Sequence, residues 1–73
     1  MRTVRVECYA GSRADERPRR VVIDGREHTV ARILNTSIEE SAATKERIRR
    51  YTVLTQEGMR LKIIQAGDEW FLE

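Results

Sequence analysis

A chain of 73 residues is long enough for one domain and no more, and a domain that small buries only about 60% of the surface its unfolded form exposes. With 40% hydrophobic and 36% charged residues it carries enough Val, Ile and Leu to pack a single small core, which excludes a disordered chain. One cysteine excludes an intrachain disulfide, the lack of a Cys/His cluster excludes a structural zinc, and a formal net charge of +2 is too weak by itself to mark a nucleic-acid binder.

The N-terminal run "MRTVRVECYA" begins with strand character at once. It has no apolar signal-peptide core, and no segment reaches the roughly 20 apolar residues of a membrane span. A cytoplasmic, reducing location is the expectation, with no membrane partner. Over residues 3–10, Val4, Val6, Cys8 and Ala10 alternate with Arg5, Glu7 and Tyr9, the period-two pattern of a half-buried strand. Gly11 and Ser12 break it, and Pro18 cannot donate to a ladder, so residues 11–18 read as a loop. "RRVVID" and "REHTVARIL" then read as two strands joined by Asp24-Gly25, a strong two-residue hairpin signal.

Residues 35–46, "NTSIEESAATKE", lack that pattern. Thr36 or Ser37 followed by Glu39 and Glu40 resembles a helix start, so one short helix over 36–46, or a mobile excursion, is expected. "RIRRYTVLT" is the fourth strand, with Arg47 and Arg49 on the face of Tyr51 and Arg50 on the other, and its charges suit a solvated edge strand. After a "QEG" turn, "MRLKII" places Met59, Leu61 and Ile63 inward and Arg60 and Lys62 outward. "AGD" turns the chain into "EWFLE", where one of Trp70 and Phe71 faces in and the other out.

The expected fold is all-β: one domain over residues 1–73, a small antiparallel barrel of five to six short strands, SH3-like first and a partly open OB-like barrel second. Its expected core is Val4, Val6, Cys8, Val21, Ile23, Val30, Ile33, Tyr51, Val53, Met59, Leu61, Ile63, Trp70 and Leu72.

The segment "YAGSRADERPRRVVIDGREHTV", together with the terminal "DEWFLE", resembles a group of small bacterial domains that share a Tyr-x-Gly-x-Arg-x-x-Glu-x-Pro-Arg run, a Gly at the next turn and a terminal Trp. The resemblance covers roughly residues 8–34 and the C-terminus. It implies a compact bacterial domain, and the group brings no activity to transfer.

The cations are unevenly spread: residues 1–35 hold eight Arg against five Asp and Glu, and residues 36–73 hold six Lys and Arg against seven acids. Four of the arginines, Arg13, Arg17, Arg19 and Arg20, surround Asp15, Glu16 and Pro18 in one connection. As scaffold, Glu16 would pair with Arg13 or Arg19 while Pro18 stiffens the loop. As a site, Arg13, Arg17, Arg19 and Arg20 would grip phosphates or carboxylates, with Tyr9 supplying a stacking ring beside them.

Other chemistry is absent from the pattern. Asp15 and Glu16 are adjacent residues among arginines that would lower their pKa values, which does not suit general acid/base work. His28 has no second His and no nucleophile at a motif spacing, and reads as a strand surface residue; Cys8 reads as a small core hydrophobe. No catalytic residues, metal ligands or cofactors are expected. The chain is expected to be a non-enzymatic binding module for RNA or single-stranded DNA, or alternatively a protein-interaction module that takes an acidic or extended peptide segment. The sequence carries no signal for an oligomeric state.

Overall fold

The alternating runs become strands in the computed structural model, which describes residues 2–8, 17–40 and 42–73. They are β1 (Arg2–Cys8), β2 (Pro18–Ile23), β3 (Arg26–Glu40), β4 (Arg47–Thr55), β5 (Arg60–Ala66) and β6 (Glu69–Leu72), with no helix among the described residues. Each strand pairs antiparallel with its neighbour in sequence, and β6 returns to β1, so the sheet closes into the small SH3-like barrel. β1 makes the closure by dividing its length: Arg2–Val4 pair with Leu72–Trp70, and Arg5–Cys8 pair with Val22–Pro18.

The turns follow the local chemistry. Asp24 and Gly25 sit at φ 51° and 79°, the left-handed pair of a two-residue hairpin whose twist matches the strands it joins. The β4–β5 turn is held by Thr55 from three directions. Its N–H donates to the Met59 carbonyl at 2.8 Å, its carbonyl accepts from the Gly58 N–H at 3.0 Å, and its buried hydroxyl accepts from the Met59 N–H at 3.0 Å.

Inside the barrel, Val4, Val21, Tyr51, Val53, Ile63 and Trp70 are buried together, and Val6, Cys8, Ile23, Val30, Ile33, Leu61 and Leu72 pack against them half-buried. The Tyr51 and Trp70 rings lie 5.7 Å apart at 34°. That contact decides the aromatic pair: Trp70 faces in, and Phe71, half-buried, faces out beside Thr3 and Ile64. Met59 departs from the expected core. It precedes β5 and is 37% exposed, because the β4–β5 turn holds it at the barrel end. Pro18, Thr55 and Ile64 are buried although the alternation did not select them.

Pro18 corrects the expected loop boundary. It is the first residue of β2, fully buried opposite Cys8, and Arg19 is the extra residue of a bulge between the Glu7–Arg20 and Cys8–Pro18 pairs. A proline tolerates a ladder at a strand's first residue or at a bulge, where no donor is missed. The loop interior, residues 9–16, lies outside the described residues.

The larger correction concerns residues 35–46. No helix forms there: β3 runs on to Glu40 and pairs residue for residue with β4, from Asn35–Thr52 to Glu40–Arg47. The helix-start pattern is overridden because only Ile38, Ala42 and Ala43 are apolar in this segment, so a helix would have one isoleucine and small alanines to bury, while the ladder with β4 pairs the backbone along one whole side. Two register shifts, at Ala31 and Leu34, bend β3 so that Arg26–Thr29 serve β2 and Val30–Glu40 serve β4. In consequence β4 is a central strand flanked by β3 and β5, not the solvated edge its charges suggested.

Two substitutions test this packing. Ile63→Ala is expected to cost about 2–4 kcal/mol by leaving a cavity, and Met59→Ala to stay within about 0.5 kcal/mol; denaturant melts giving equal losses would contradict the assignment. Thr55→Val is expected to cost about 1–2 kcal/mol, since it strands the Met59 amide inside the turn.

Candidate functional site

Of the residues expected to form a site, Arg17, Arg19 and Arg20 are among those the structure describes. Tyr9 and Arg13, with Asp15 and Glu16, lie outside the described residues. Arg17 is exposed just before β2 and lines a shallow cavity of about 260 Å³ with Pro18, Val30, Ala31, Arg32 and Ile33. Arg19 is exposed at the bulge. Arg20 has a different situation from the one its sequence suggests: its guanidinium lies 3.4 Å from Glu7 and 3.8 Å from Glu27, on strands to either side. Two carboxylates therefore brace it across β1, β2 and β3.

Two other polar contacts tie the barrel ends. His28 is less open than expected, with a side chain 13% exposed, and its Nδ1 lies 2.5 Å from Glu57 Oε1 in the β4–β5 turn. Arg2 donates to Asp24, linking the start of β1 to the β2–β3 turn. This hydrogen bond, and then the Arg2 charge, hold the Asp24 carboxyl below the usual carboxylate range.

A cationic surface among the described residues is built by register. Tyr51 and Val53 point into the barrel, so Arg50, Thr52 and Leu54 point out, and the ladders carry their neighbours to the same face. Three rows result. Arg32, Leu54 and Arg60 form the first; Asn35, Thr52 and Lys62 the second; Ser37, Arg50, Ile64 and Phe71 the third. Four cations thus share the outer face of β3, β4 and β5 with an amide and two hydroxyls, and β6 adds one half-buried aromatic ring. A cavity of about 180 Å³ opens among Asn35, Ser37, Arg50, Tyr51, Thr52 and Lys62, with Glu73 at its rim through an N–H donated to the Lys62 carbonyl at 2.9 Å. Glu39 meets Arg50 at 3.4 Å, where both side chains remain about half exposed.

The loop and the face meet at one point. Arg17 and Arg32 line the same cavity, so the end of the basic loop abuts the first row. Such a surface can hold phosphates through guanidinium and ammonium groups and present amide and hydroxyl edges between them. Sequence reasoning placed Arg60 and Lys62 outward and Arg50 on the face opposite Tyr51, but found no strand pattern from Asn35 onward and read 36–46, Ser37 included, as a short helix or a mobile excursion, which dissolved the face. The alternation of Thr36 and Ile38 with Ser37 and Glu39 was the available signal.

Compared with protein-family models, with curated proteins and with solved structures, the chain matches none.

The Arg2–Asp24 pair makes a pH prediction. A carboxyl whose folded pKa is depressed adds stability above its unfolded pKa and loses it as pH falls through the folded value, so this contribution disappears on the acid side. Because both groups are exposed, the effect is best read at the residue. NMR titration should find Asp24 ionising below an ordinary aspartate, and Arg2→Ala should return it to the ordinary range; a midpoint unmoved by Arg2→Ala would refute the pairing.

Proposed function

We propose that this barrel is a non-enzymatic binding module for single-stranded nucleic acid, and that it binds through the outer face of β3, β4 and β5. The observation that carries the reading is that Arg50 and Lys62 line one polar cavity and Arg60 stands in the adjacent row of the same outer face, in a chain whose net charge is only +2. The cations number little more than the acids; what favours a polyanion is their placement on one face. Arg60 and Lys62 are two residues apart on one side of β5, about 6.8 Å at the usual strand rise, a spacing suited to successive phosphates. Phe71 adds a half-buried ring in the row of Arg50. Arg17 and Arg32 extend the positive track toward the basic loop, where Arg13 and Tyr9 belong to the same reading.

Binding of this kind is counterion-driven, and three phosphate contacts on a single strand give a log–log salt slope of about −2. Fluorescence anisotropy with a mixed oligonucleotide is expected to show micromolar binding at low salt that weakens with this slope. The combined change Arg50→Ala, Arg60→Ala and Lys62→Ala should abolish it. No binding at low salt, or wild-type binding by the triple variant, would reject the reading.

One observation favours a protein partner instead. Among the described residues, β2 leaves β3 at Thr29, so residues 33–40 of β3 pair with β4 on one side only, with Ile38 59% exposed along that edge. An extended peptide segment adds to such an edge. Capture from a lysate with and without nuclease separates the readings: partners that survive nuclease, with no nucleic acid recovered, decide for the peptide.

A further inference from the structure

Resting on the reading of this face as a nucleic-acid surface, we propose that the cavity among Asn35, Ser37 and Thr52 seats one unpaired base and selects it, while Arg50, Arg60 and Lys62 hold only the backbone. Asn35 and Thr52 are direct cross-strand partners, Thr52 is paired with Lys62, and Ser37 with Arg50, so Thr52 and Ser37 each adjoin a cation along a ladder row and Asn35 stands one strand further from Lys62. A phosphate on Lys62 or Arg50 therefore leaves its nucleoside over the cavity of about 180 Å³.

The chemistry of the lining suits a base edge better than a second phosphate. The Asn35 amide offers two donors and one acceptor, and the Ser37 and Thr52 hydroxyls each donate or accept. Among the described residues, none of these three side chains takes part in a hydrogen bond or ion pair. Their hydrogen-bonding capacity is open to a ligand. Glu73 at the rim disfavours further negative charge inside the cavity. A base within a duplex has its Watson–Crick edge occupied, so the seat takes a base splayed from a single strand.

Phosphate contacts set affinity and salt dependence, and base contacts set preference, so the two groups of residues are separable by experiment. The probes are labelled oligo-U, oligo-C and oligo-A RNAs of roughly eight nucleotides, titrated at several salt concentrations. Wild type should prefer one base by about tenfold, the discrimination of one well-made base contact. Asn35→Ala should reduce that preference to about twofold or less with the salt slope unchanged, and Ser37→Ala should act in the same direction. Lys62→Ala should make the slope shallower by about 0.7 and keep the preference. Equal affinity of wild type for all three RNAs, or a preference untouched by both Asn35→Ala and Ser37→Ala, overturns the base seat while leaving the surface reading in place. Wild type that binds none of them at low salt overturns both.

Discussion

Burial of Tyr51 and Val53 inside the small barrel constrains β4, and through β4 its two neighbours. Tyr51 is paired with Ile63 and stacked near Trp70, and Val53 is paired with Ile33 and Leu61. Because side chains alternate along a strand, a slip of one residue would expose these groups and drive Arg50, Thr52 and Leu54 into the core. The outward cations are therefore the reverse side of the core's register. Whatever the face binds, its geometry is held by the same contacts that hold the fold.

Closure depends on local irregularities as much as on regular pairing. Six strands curl into a barrel only if some of them bend, and the bends here fall at Arg19, Ala31 and Leu34. The first lets a proline begin β2 inside the barrel. The other two let a fifteen-residue β3 leave β2 and continue along β4. Without that continuation Asn35 and Ser37 would not stand beside Thr52 and Arg50, and the polar cavity would lose one wall.

The distribution of charge follows from the same geometry. Arg20, in the segment richest in arginine, is drawn into a brace by Glu7 and Glu27 on adjacent strands, while Arg60 and Lys62, two outward cations of a short alternating run, come to share a face with Arg50. A cation in a dense run can thus be held by carboxylates on neighbouring strands. Adjacent residues in a strand point apart, whereas residues far apart in sequence are joined by the ladder.

By itself, the sequence determined the elements whose signal is local. The alternation of Val4, Val6 and Cys8 and of Leu61 and Ile63, the left-handed turn at Asp24-Gly25, and the inward and outward alternatives for Trp70 and Phe71 are all written within a few residues, because strand period and turn preference act at that range. Tertiary structure decided the rest. Residues 35–40 carry a helix-start pattern with little apolar surface to support it, and they became strand because β4 offered a cross-strand partner for each of them. Met59 was left at the barrel end by the turn that Thr55 locks, and Pro18 was drawn inside by a bulge one residue away. The cationic face belongs to this second class: its rows unite Arg32 with Arg60 and Asn35 with Lys62, and only the hydrogen-bonded register across three strands places such distant residues side by side.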